Sequence, residues 1–184
     1  MTTFSKTDIV NLALIQAGYN TITNFDSDTS EIAKKCKLYY AHCYELLLCA
    51  APWQFATKRE KLVPLVQNPN DSQFNYVYQI PSDALYLWDI YAGDFGALIG
   101  GQDIAHYTGK YHTLPLVTGA AILYGIGEVS GNQILSNQSD LSVFYTSNTE
   151  ITTSAFSPMF RDQLVKEIEI MLIRQKDTGA EELQ

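Results

Sequence analysis

The chain has 184 residues, 46% hydrophobic and 17% charged, with a formal net charge of −8. That length suits one domain, or one domain with an insertion, and folding at this size removes roughly 70% of the unfolded chain's surface. No segment reads as a basic patch, which excludes ordinary nucleic-acid binding through phosphates.

The charge is uneven. Residues 1–92 hold 7 basic and 9 acidic residues for a net −2, and the remainder holds 5 and 11 for −6. An acidic lining is compatible with a passage that DNA crosses without sticking, over a Debye length of about 8 Å. Aromatic residues make up 12%, with 12 Tyr, a residue that suits both interfaces and strands. Cys36, Cys43 and Cys49 fall within one expected helix. Their odd number and closeness argue against a disulfide framework. Cys36 and Cys43 are seven apart on one face, and His42 points elsewhere, so they read as small buried apolar residues rather than metal ligands. Asp8 and Asn11 interrupt any apolar run after Met1, so a signal peptide is not expected. No run approaches the ~20 apolar residues of a membrane span. Synthesis and folding in a cytoplasm are expected, with no membrane partner.

In chain order, residues 5–18 predict a helix. Ser5 or Thr7 caps it, Asp8 sits in its first turn, and Ile9, Leu12, Ala13 and Ala17 share a face. Gly18 stops it, and residues 19–28 read as polar loop. Residues 30–50 predict a long helix with Ile32, Cys36, Tyr39, Cys43, Leu46 and Ala50 as its stripe, widened by Leu47. Lys34, Lys35 and Lys37 read as a solvated face, and Pro52 ends the helix. Period two then takes over. Residues 53–66 are strand-like, 68–72 form a turn, and Phe74, Tyr76, Tyr78 and Ile80 line one side of a strand that Pro81-Ser82-Asp83 breaks. Residues 85–92 predict another strand, with Leu85 and Leu87 opposite Tyr86, Trp88 and Ile90. Residues 93–115 are Gly-rich and irregular. Residues 120–126 and 133–135 suggest a hairpin around Ser130-Gly131-Asn132. Leu141, Val143 and Tyr145 mark a strand over 141–147. Ser157, Pro158 and Asp162 open a last helix striped by Phe160, Leu164, Ile168 and Met171 or Leu172, with Arg174 and Lys176 toward its end. Residues 177–184 read as a loose polar tail.

The expected fold is α+β. The N-terminal and C-terminal helices form a helical bundle with a β-rich insertion between them: 1–56 helical, 57–150 β-rich, and 151–184 a closing helix and tail packing with 1–56.

Chemistry is sparse. The sequence holds no phosphate-binding glycine loop, no H-E-x-x-H and no G-x-S-x-G. Asp103, His106 and His112 are the best cluster, but they match no metal template and sit in the Gly-rich stretch. Glu31, Glu45 and Glu60 are acids without a visible pair. No catalytic residue, metal or cofactor is expected.

Four stretches carry a resemblance. They are residues 8–18, Asp8 to Gly18; Tyr44-Glu45-Leu46-Leu47-Leu48 with Ala51-Pro52-Trp53-Gln54-Phe55-Ala56, then Arg59 and Leu62; Tyr78-Gln79-Ile80-Pro81-Ser82-Asp83; and Gly131-Asn132, Ile134-Leu135, Tyr145 and Phe156-Ser157-Pro158-Met159-Phe160. In order and spacing they resemble the tail tubular protein A family, the head-to-tail adaptors of short-tailed phages. Pro52, Trp53, Phe55, Pro81, Asp83, Pro158 and Phe160 are the structural motif residues.

The resemblance implies a non-enzymatic virion protein that forms a homo-oligomeric ring of twelve. That ring would join the portal ring to the tail nozzle, with DNA passing through its centre unbound. It also implies portal contacts through the C-terminal segment, where Arg174, Lys176, Asp177, Glu181, Glu182 and Gln184 are candidates. The chain departs from the pattern in ending soon after the closing helix and in matching nothing over 93–127. Two alternatives remain: another joining protein, such as a head-completion or tail-terminator subunit, and a polysaccharide-degrading tail enzyme.

Overall fold

The computed structural model describes residues 4–67, 73–92, 121–123 and 127–181. The chain divides into two compact units, one of residues 1–51 with 150–184 and one of residues 52–149. The divisions fall after Ala51 and Thr149, where the sequence reading drew them after Ala56 and Glu150.

The first unit holds α1 (Lys6–Gln16), α2 (Glu31–Ala50) and the long α3 (Pro158–Glu181), which packs on both others. Helix α1 starts on a capping box. Ser5 Oγ accepts from the Asp8 amide, and the Asp8 carboxylate accepts from the Ser5 amide at 2.8 Å, so two orphan donors are satisfied locally. It ends in a Schellman motif, with Tyr19 N–H donating to Leu14 O at 2.8 Å and Gly18 N–H to Ile15 O at 3.1 Å. Gly18 has φ +74°, and a Cβ there meets no atom. Gly18→Ala should therefore cost only the left-handed backbone penalty, about 1 kcal/mol, read as a lowered denaturation midpoint for the helical unit.

The core face of α1 is Ile9, Val10, Ala13, Leu14 and Ala17, while Leu12 is 37% exposed. On α2 the buried set is Ala33, Cys36, Tyr40, Cys43, Leu47 and Leu48, and Leu46 is 56% exposed. In both helices the real face lies about one residue away from the expected stripe, because Leu12 and Leu46 extend the apolar pattern outward. Ser30 caps α2, and Ala51 is extended, as the residue before Pro52 must be. The loop 19–30 is pinned rather than free. Asn11 trades two hydrogen bonds with the Ile22 backbone, and Lys37 donates to the carbonyls of Asp26 and Asp28. Lys37 is therefore a loop clamp and not part of a solvated face. Helix α3 runs through Glu181, so residues 177–181, expected loose, continue the helix.

The second unit holds two antiparallel sheets. One has the order β1 (Thr57–Leu62), β8 (Leu141–Ser147), β4 (Ala84–Ala92). The other runs β2 (Pro64–Gln67), β3 (Tyr76–Gln79), β7 (Gln133–Ser136), β6 (Gly127–Ser130), β5 (Ala121–Leu123). Both sheets feed one core of Leu62, Tyr78, Ile80, Leu87, Ile90, Ile134, Leu141, Val143 and Tyr145.

Two corrections follow from this unit. The hairpin closed by Gly131-Asn132 joins β6 to β7, with Ser130 opposite Gln133, so its first strand is 127–130 rather than 120–126. Strand β4 carries two bulges against β8, at Ala84/Tyr86 and Leu87/Asp89. Each bulge shifts parity by one, which puts Leu87 and Ile90 together in the core although their spacing is odd.

The expected helical bundle with a β-rich insertion is overturned. Among the described residues the chain is a mixed α and β structure of three helices and two antiparallel sheets. The strands are no appendage of the helices, because they bury their own core.

Candidate functional site

The sequence-derived motif residues are all ordered, and most serve packing. Phe160 is fully buried on α3, edge-on to Tyr44 at 5.9 Å and to Phe156 at 4.9 Å. Pro158 takes the first helical position and Ser157 Oγ accepts from the Phe160 amide at 3.2 Å. Trp53 and Phe55 stack at 6.2 Å, and the Trp53 carbonyl accepts from Ala56 and Thr57, turning the chain into β1. Pro81 opens the turn before β4, its carbonyl accepting from Ala84 N–H at 3.0 Å.

Asp83 anchors the densest polar cluster. Its Oδ2 accepts from Lys58 Nζ at 2.6 Å and from Ser147 Oγ at 2.8 Å. Its Oδ1 faces the Tyr145 hydroxyl at 3.2 Å, and the same hydroxyl lies 3.1 Å from Glu60 Oε2. Thr149 Oγ1 meets both Lys58 Nζ and Ser147 Oγ, and Asn148 N–H donates to the Asp83 carbonyl. Three elements converge here: β1 supplies Lys58 and Glu60, β8 supplies Tyr145 and Ser147, and the turn before β4 supplies Asp83. From sequence, Asp83 reads only as part of the Pro81-Ser82-Asp83 strand break. Its carboxylate instead ties side chains from across the sheet. The Lys58 ammonium first, then the Ser147 and Tyr145 hydroxyls, hold Asp83 down to about 2, well below the usual carboxylate range. Burial, and then the Glu60 carboxylate, push the Tyr145 hydroxyl up, so it stays a neutral donor.

The cluster is closed chemically. Lys58 Nζ is held between the Asp83 carboxylate and the Thr149 hydroxyl, and Ser147 is 2% exposed, out of a substrate's reach. The arrangement locks a turn to a sheet. Sequence reasoning missed Lys58, Ser147 and Thr149, and placed Tyr145 on a strand face without linking it to Asp83. The signal that finds them is the register Lys58↔Tyr145, which no single-strand pattern contains.

The other face of the three-stranded sheet is aromatic and polar. Arg59 lies over the Phe144 ring at 5.1 Å, Trp88 Nε1–H donates to Thr146 Oγ1 at 2.7 Å, and Tyr86 and Trp88 approach to 4.6 Å. Burial raises the Asp89 carboxyl.

The remaining candidates do not assemble. Glu31 pairs with Lys34 at 2.7 Å, Glu45 is exposed and Glu60 belongs to the Tyr145 cluster. Asp103, His106 and His112 lie outside the described residues. Cys36 and Cys43 are buried, and that burial raises both thiols to about 11, which keeps them protonated. Among the described residues no group of three or more His, Cys, Asp or Glu is placed to hold a metal ion, and no helix is long and apolar enough to cross a membrane. Arg174 is exposed near the end of α3. Lys176, Asp177 and Glu181 follow on its last turns, and Glu182 and Gln184 lie outside the described residues.

No protein-family model and no curated protein matches the chain. What bears on function is then the set of motif residues and the surfaces around them. Large apolar side chains stand exposed at Leu12, Ile15, Leu38 and Leu46 in the helical unit, and at Val63 and Leu65 in the strand unit.

Proposed function

We propose that this chain is a structural subunit of a phage virion, a head-to-tail adaptor that joins a portal ring to a tail nozzle. The observation that carries the reading is how the resembling residues are used. Asp83 and Pro81 lock a turn, Phe160 and Pro158 seat a helix, and Pro52 ends one. Each side chain is committed to shape, none to a reacting group, as a building block requires. The acidic charge of −8 fits a wall that DNA slides past, since like charges repel at short range. The ring of twelve comes from the family resemblance alone.

The test is reconstitution with a portal ring from the same genome. Electron microscopy should show a layer of this protein directly beneath the portal, and a neck with no such layer sinks the reading. Removing residues 177–184, which shortens α3 and takes away three charged residues, should weaken capture by the portal. Unchanged capture would remove the C-terminal segment from the contact.

A further inference from the structure

We propose that Pro64 guards the open edge of β2 against pairing with an extended strand of another molecule. The proposal does not depend on the adaptor reading.

An edge strand presents unpaired N–H and C=O groups, a template for any extended chain that meets it. Among the described residues the two sheets end in four such edges, β1 and β4 in one and β2 and β5 in the other. Three of them are blunted by their own build. On β1, Lys58 and Glu60 point inward, on the side of Leu62, where Asp83 and Tyr145 meet them. A sheet continued past β1 would bury both charges. Strand β4 carries two bulges, which break regular pairing. Strand β5 is three residues long.

The edge at β2 is different. Residues 62–67 carry no charge, and all but Pro64 and Gln67 are leucine or valine. Val63 is 80% exposed, the highest value of any large apolar side chain described, and Leu65 is 54% exposed. An uncharged run of strand formers at an exposed edge is the pattern that seeds cross-β stacking, and a proline within it is what breaks that pattern. Pro64 has no N–H to give an incoming strand. The register of β2 on β3 also slips between Pro64 and Val66, which bends the edge away from regular pairing. Pro64 stands where the chain passes from one sheet to the other, and proline is tolerated at the start of an edge strand. That corner would be served as well with polar neighbours. The exposed Val63 and Leu65 on either side give the missing N–H its consequence.

Pro64→Val tests this, because valine restores the N–H and completes a run of five leucines and valines. Under agitation the folded wild type should stay in solution. Folded Pro64→Val should form sedimenting, thioflavin-binding aggregates roughly ten times faster. Adding Val63→Lys should return the rate to that of the wild type, since a charge at so exposed a position blocks pairing and leaves the fold alone. Circular dichroism and the denaturation midpoint establish that each starting protein is folded. Should valine not fit the corner, Pro64→Ala restores the same N–H with a smaller side chain and is read in the same way. Aggregation no faster than that of the wild type overturns the proposal, and so does a Val63→Lys that fails to suppress it. Aggregation seen only where the variant has already unfolded overturns it too, and leaves Pro64 a corner residue.

Discussion

Phe160→Ala should destabilise the helical unit by about 3–5 kcal/mol, the range for a fully buried phenylalanine cut to a methyl group. Phe160 has no exposure and packs edge-on against both the Tyr44 and Phe156 rings, which stack on each other at 5.7 Å, with Tyr40 next in the stack at 6.0 Å from Tyr44. These rings have little room to collapse into the gap, since Tyr40 in turn rests on Phe25 at 5.1 Å. The neighbouring Met159 is 73% exposed, so Met159→Ala should stay within about 0.5 kcal/mol. Denaturant titration of both variants, followed by hydrogen exchange on α3, measures the difference. Equal losses would mean that the aromatic stack does not carry the unit.

Asp83→Ala should cost about 2 kcal/mol in the strand unit and remove most of its acid sensitivity. The mutation leaves Lys58 and the Ser147 and Tyr145 hydroxyls without their shared acceptor. The Asp83 side chain is 32% exposed and that of Lys58 49%, so solvent screening keeps the figure below that of a fully buried pair. The sign of the pH effect follows from the lowered acidity. Asp83 binds its proton less readily folded, at about 2, than unfolded, at 3.8. Its stabilisation is present above the unfolded value and is lost as pH falls from about 4 toward 2. Wild-type midpoints should drop across that window, and Asp83→Ala should flatten the drop. A variant that follows the wild-type curve would show that the acid response comes from other carboxylates.

Legibility in the sequence tracks how far away each residue's partner lies. The helix ends were readable, because Ser5, Gly18, Ser30 and Ser157 satisfy backbone groups within five residues. The alternation of Tyr78 with Ile80, and of Leu141, Val143 and Tyr145, was readable because pleating alternates side chains whatever the neighbours are. Helix faces were read less well. Leu12 and Leu46 complete an apolar period on paper, and only packing decides that Leu14 and Leu48 go inward instead. The turn at Pro81–Asp83 was visible, but the lysine and tyrosine that Asp83 holds are 25 and 62 residues away.

By itself, then, the sequence determined the three helices, their caps and stops, and the strand alternation. All of these rest on bonds or geometry within a few residues. Tertiary structure alone decided the bulged register that brings Leu87 and Ile90 to one core, and the partners of Asp83. Each of those depends on which strand lies alongside, and a strand's own residues do not encode its neighbour.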